Sequence, residues 1–80
     1  MAVDVVVVRC DDWEGIYLNG ELAREEHRLR LVMVGNLLVG KTISSFRSFY
    51  LEYDEYAEVE PYWSNLPPNL DALRPFLGDS

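Results

Sequence analysis

The sequence predicts an α+β fold: a small single domain, residues 1–80, in which an antiparallel β-sheet packs against one main helix in a ββαβ-like order. Three observations carry this reading. Val3 to Cys10 contains the unbroken run Val5 to Val8, Asn19-Gly20 lies between two short apolar-containing runs, and Leu31 to Val39 is almost wholly apolar.

Val3 to Cys10 is β-branched with no helix-favouring interruption, so it reads as a strand at the sheet centre or buried on both faces. Asp11 and Asp12 supply a turn, after which Glu14 to Leu18 leads into Asn19-Gly20 and then Glu21 to Ala23. Asn and Gly both accept the positive φ of a type I′ turn, which makes this pair a hairpin signal. Arg24 to Arg30 is polar and charged and connects to the apolar run. There Leu31, Val34 and Leu38, with Met33 and Leu37, share a broad helical face, although Gly35 and Asn36 weaken the helix interior. A strand over Leu31 to Val34 is the alternative. The helix is preferred because otherwise nothing would cover the sheet.

Ile43 to Tyr53 carries mixed signals. Ile43, Phe46, Tyr50 and Tyr53 recur at helical spacing, whereas the Ser, Phe and Tyr content and the lack of Ala favour a strand, which is the assignment adopted. Asp54 to Trp63 has room for a short helical turn that Pro61 would end or kink. Pro67 and Pro68 prevent continuation, and Asn69 suits the cap of a last short turn through Leu73, before Pro75.

A chain of 80 residues buries only roughly 60% of the surface its unfolded form exposes, so the core is modest. The 49% hydrophobic content nevertheless places the chain among globular rather than disordered sequences. A single cysteine, Cys10, excludes an intramolecular disulfide, and one histidine, His27, excludes a Cys/His zinc cluster. A cytoplasmic setting follows most simply, and neither a signal peptide nor a membrane span is read in the valine run, which is too short and lacks a basic flank. The formal charge of −7 disfavours direct binding to nucleic acid or to an anionic membrane. That charge is uneven: residues 1–21 sum to −4, residues 22–50 to +3 and residues 51–80 to −6.

Gly35-Asn36-Leu37-Leu38-Val39-Gly40-Lys41-Thr42 matches the phosphate-loop pattern G-x-x-x-x-G-K-[ST]. In such a loop backbone N–H groups surround the phosphates, the lysine reaches the β/γ-phosphates and the threonine holds Mg²⁺, so Gly35, Gly40, Lys41 and Thr42 would be the nucleotide-binding residues. Length weighs against it, because only 38 residues of the 80 follow Thr42 and a nucleotide-binding sheet needs several further strands and helices. Bulky Leu37, Leu38 and Val39 fit an apolar helix better, with Gly40 at its carboxyl-terminal cap.

No catalytic residue emerges. Asp11, Asp12 and Glu14 lack the spacing of a calcium loop and read as a solvated turn. Ser44, Ser45 and Ser48 have only His27 as a conventional base, which reads as exposed or capping, and Cys10 reads as a small buried hydrophobe. The segment Tyr50 to Trp63 interleaves aromatic rings with carboxylates, which pairs contact area with electrostatic steering. Glu52, Tyr53, Asp54, Glu55, Tyr56, Glu58 and Trp63 are therefore the candidate partner-binding residues, with the competing reading that half of these rings belong to the core.

Asp12-Trp13-Glu14-Gly15-Ile16-Tyr17-Leu18-Asn19-Gly20-Glu21-Leu22, then His27, then Leu66-Pro67-Pro68-Asn69-Leu70, resembles a group of small acidic proteins from bacteria and their phages. The resemblance covers about half the chain, while the Gly35 to Thr42 block departs from it. It implies a compact ββαβ-type domain and supplies no catalytic residues. The functional expectation is a non-enzymatic protein-interaction module without a cofactor or metal, a phage-type regulator or inhibitor that binds a basic surface of a host protein, with nucleic-acid mimicry as its sharper form. A minimal nucleotide binder and a structural homodimer are the alternatives.

Overall fold

The computed structural model describes residues 2–10, 13–51, 56–57 and 65–79. Among these residues five strands and one α-helix follow one another as β1 (Ala2–Arg9), β2 (Glu14–Leu18), β3 (Glu21–Glu26), α1 (Leu31–Leu38), β4 (Thr42–Leu51) and β5 (Leu77–Asp79). The strands form one sheet in the order β3-β2-β1-β4-β5, so the valine-rich β1 is central.

The hairpin closes where the sequence places it. Asn19 (φ 53°) and Gly20 (φ 84°) both take positive φ, the pair of left-handed residues a type I′ turn requires. Its tip is also tied to β1: Asn19 N–H donates to the Asp4 carbonyl at 2.9 Å, and Asp4 N–H donates to Asn19 Oδ1 at 2.9 Å.

The α+β class with one main helix holds, but the sheet is mixed rather than antiparallel. β1 pairs antiparallel to β2 and parallel to β4. The cause lies in the connection: β3 leaves the sheet at one edge, and the chain returns through α1 to add β4 on the far side of β1, a crossover that brings the new strand in parallel. A strand with helix-side and tail-side cover needs apolar residues at every position, which is why β1 reads as a continuous valine run rather than an alternating one.

Each face of the sheet has its own core. On one face Val3 and Val5 of β1 and Ile16 of β2 pack beneath Val34, Leu37 and Leu38 of α1, residues at i, i+3 and i+4 of the helix. On the other, Val6, Val8, Cys10, Tyr17 and Leu51 pack against Tyr56, Leu66, Leu70 and Leu73 from the carboxyl-terminal part of the chain. That part forms two short 3₁₀ turns, Leu70–Ala72 and Arg74–Phe76, before β5. Asn69 caps the first as anticipated, its Oδ1 accepting the Asp71 N–H at 2.9 Å. The second turn runs through Pro75 instead of stopping before it, since proline's fixed φ suits the first positions of a helical turn.

Both sheet edges are guarded. β3 carries Glu21, Arg24, Glu25 and Glu26, and its pairing with β2 slips by one residue at Ala23, because Ile16 faces Arg24 while Tyr17 faces Leu22. Its first residues are further covered by the tail, with Leu22 N–H donating to the Pro68 carbonyl and Leu70 N–H to the Gly20 carbonyl. β5 is three residues long. Charge, a bulge and shortness are the devices that discourage strand pairing between copies, so the edges do not favour the homodimer alternative.

Candidate protein-interaction surface

The two faces are covered unequally. α1 has eight residues and none of them is buried, whereas the tail side contributes Leu66, Leu70 and Leu73 as buried core. A helix this short is marginal by itself and owes its stability to the stripe it lays on the sheet. Leu31 at its first position, Val32, and Val39 just past its end are 87%, 73% and 73% exposed.

β4 extends this open apolar surface. Registered beside β1, Ile43 lies opposite Val3, Phe46 opposite Val5, Ser48 opposite Val7 and Tyr50 opposite Arg9, which puts all four on the α1 side of the sheet. α1 sits over Val3, Val5 and Ile16, so it leaves β4 uncovered: Ile43, Phe46 and Tyr50 are all exposed, Phe46 at 55%. Six large hydrophobic residues of α1, the residue after it and β4 are thus exposed in an 80-residue domain. Scattered exposed hydrophobics are ordinary, whereas a grouped set rimmed by charge marks an interaction surface. The exposed Arg28, Arg30 and Lys41 of the positive block flank α1 in the chain.

A bulge sets this strip. Ile43 pairs with Val3 and Ser45 with Asp4, which leaves Ser44 as an extra residue. Ser44 Oγ donates to the Val3 carbonyl at 3.0 Å and to Asp4 Oδ1 at 2.9 Å, and Ser45 Oγ donates to the same Oδ1 at 2.6 Å. These hydroxyl donors hold the Asp4 carboxyl below its ordinary value. Ser44 and Ser45, two of the three serines that could suggest a nucleophile, are thus part of a structural clamp.

Of the partner-binding residues expected from sequence, Tyr56 is 5% exposed and packs edge-on to Phe76 at 5.3 Å, which makes it a core residue and corrects its assignment to a contact surface. Its apolar ring fills space that the tail turns leave, the outcome that the competing reading of this segment anticipated. Glu52, Tyr53, Asp54, Glu55, Glu58 and Trp63 lie outside the described residues, as does most of the helical turn expected over Asp54 to Trp63.

The phosphate-loop match falls on the opposite order of elements. Gly35 lies within α1, Gly40 (φ 76°) follows its end, Lys41 N–H donates to the Leu38 carbonyl at 3.0 Å, and Thr42 begins β4. A phosphate loop runs from strand to helix, so that helix N–H groups aim at the anion; here the motif sits at a helix carboxyl end, where exposed carbonyls carry partial negative charge.

His27 lies against Trp13, ring centroids 4.9 Å apart, and Cys10 is buried. Glu14 is occupied: its Oε1 accepts the Leu29 N–H at 2.7 Å and its Oε2 lies 3.5 Å from Arg9 Nε. Asp11 and Asp12 lie outside the described residues, and among the described ones no three His, Cys, Asp or Glu side chains gather as metal ligands would. No helix of the described residues is long and apolar enough to cross a membrane. No protein-family model matches the chain, and neither a curated protein nor a solved structure matches it.

Proposed function

We propose that this domain is a non-enzymatic protein-interaction module, acting as a regulator or inhibitor of the protein it binds, and that its docking surface is the open side formed by α1 and β4. The observation that carries the reading is the set Leu31, Val32, Val39, Ile43, Phe46 and Tyr50, exposed together while the opposite face of the sheet is closed by the tail. Apolar and aromatic side chains supply the central binding energy of an interface, and charges around them set orientation and reject wrong partners. Since the exposed Arg28, Arg30 and Lys41 flank α1 in the chain, the complementary partner surface is apolar with acidic groups at its margin.

A second reading keeps the partner basic and places contact on Glu52, Tyr53, Asp54, Glu55, Glu58 and Trp63; it is favoured by the −6 charge of residues 51–80. One experiment separates the two. The protein is used as bait in lysate of its native host, and the retained partner is then titrated against wild type, Phe46→Asp, and a Glu55→Lys/Glu58→Lys double variant. Loss of affinity of about tenfold or more with Phe46→Asp, and little change with the double variant, supports the α1–β4 surface. The reverse pattern supports the acidic segment. The nucleotide alternative predicts a rise in melting temperature with millimolar ATP and Mg²⁺, which the helix-to-strand geometry of Gly35 to Thr42 gives no reason to expect.

A further inference from the structure

A pocket of about 440 Å³ opens where the carboxyl-terminal ends of the parallel strands β1 and β4 meet the connection from β3 to α1. Arg9 and Glu14 line it from the sheet, Tyr50 from β4, and His27, Arg28 and Leu29 from the connection. Such a volume suits a small ligand or one end of a larger one. The carboxyl ends of parallel strands are also where chains diverge and leave a crevice between their loops.

The described lining of the pocket is rich in arginine. Among the described residues two guanidinium groups, Arg9 and Arg28, face one carboxylate, and that carboxylate is already engaged by the Leu29 N–H and by Arg9 Nε. Glu14 meets Arg9 through Nε, which leaves the fork of terminal nitrogens as donors, and among the described residues Arg28 makes no ion pair. Arginine presents paired N–H donors whose geometry matches two oxygens of a carboxylate or phosphate. Tyr50 and Leu29 add apolar wall beside those donors.

We propose that this pocket is an anion site, in which Arg9 and Arg28 bind the carboxylate or phosphate group of a ligand whose adjoining apolar part lies against Tyr50 and Leu29. The site shares Arg28 and Tyr50 with the α1–β4 surface, but its anion binding does not rest on that surface's docking role.

Inorganic phosphate and acetate, titrated separately at constant ionic strength against the full chain, test it through backbone amide shifts. The expected result is saturable binding by at least one of them, with shifts concentrated at Arg9, Glu14, His27, Arg28 and Leu29, and the better anion identifies the ligand's charged group. Arg28→Ala weakens that binding by about tenfold, while Arg30→Ala, at another exposed arginine that lies outside the pocket, leaves it unchanged. Both residues are exposed, so neither variant is expected to unfold the domain. Saturation by neither anion overturns the proposal, and so does equal weakening by Arg28→Ala and Arg30→Ala, which would mean diffuse attraction to the basic block.

Discussion

The hydroxyl of Tyr17, the last residue but one of β2, donates to the carbonyl of Pro67 at 2.7 Å across 50 residues of sequence. Tyr17 is fully buried, so this bond both satisfies a polar group in the core and fixes the tail against the sheet. Tyr17→Phe keeps the ring but strands the acceptor. The expected loss is about 1–2 kcal/mol of unfolding free energy, read from urea denaturation with an unchanged m-value.

Burial, with Glu25 and Tyr56 nearby, pushes the Tyr17 phenol well above its ordinary value of 10.0. Because the folded pKa is raised, its contribution to stability is complete below pH 10 and declines as pH rises past it, where only the unfolded chain ionises. Denaturation midpoints measured from pH 8 to 11.5 are expected to fall above pH 10 in wild type, and to fall less steeply in Tyr17→Phe.

Gly15 sits where a side chain has no room. A Cβ there would run into Leu66 Cδ1 and lie 3.3 Å from Leu22 Cδ1, and Leu66 is itself buried in the tail-side core. Gly15→Ala is expected to destabilise by about 1–3 kcal/mol through overpacking. Leu66→Ala in the same chain makes space for the added methyl, so the double variant is expected to be more stable than the sum of the two single losses implies.

Asn19 joins the hairpin tip to β1 through two hydrogen bonds with Asp4, and its backbone is left-handed. Asn19→Ala loses the side-chain bond and meets the steric cost of positive φ, for an expected loss of about 1–2 kcal/mol. Asn19→Gly removes only the side-chain bond and is expected to cost less. Thermal or chemical unfolding of the two variants distinguishes the contributions.

Much of the fold was legible because local chemistry and tertiary role agree: the valine run became the central strand, Asn19-Gly20 the hairpin, and Leu31 to Leu38 the helix. The parallel pairing of β1 with β4 was not read, although a strand apolar at every position already implies cover on both faces. The helical spacing of Ile43, Phe46 and Tyr50 misleads for a specific reason. The extra residue Ser44 shifts the alternation by one, so Ile43 and Phe46, three apart, share a face of a strand. β5 is too short, and contains Gly78, to announce itself. The candidate surface was hidden for a related cause: the apolar residues of α1 and β4 look like core in sequence, and only the placement of α1 over β1 and β2 shows that Phe46 and its neighbours are left open. In the aromatic and acidic segment, Tyr56 turned inward because a ring there fills the tail-side core.

The claim that the α1–β4 side is a docking surface meets its most direct test in Phe46→Asp. Phe46 is more than half exposed, so the substitution is expected to change unfolding free energy by no more than roughly 0.5 kcal/mol, which circular dichroism and denaturation verify. Titration of the purified partner against wild type and this variant is then expected to show affinity weakened by about tenfold or more. Unaltered affinity in a folded Phe46→Asp protein would contradict the account and move the interface away from this surface.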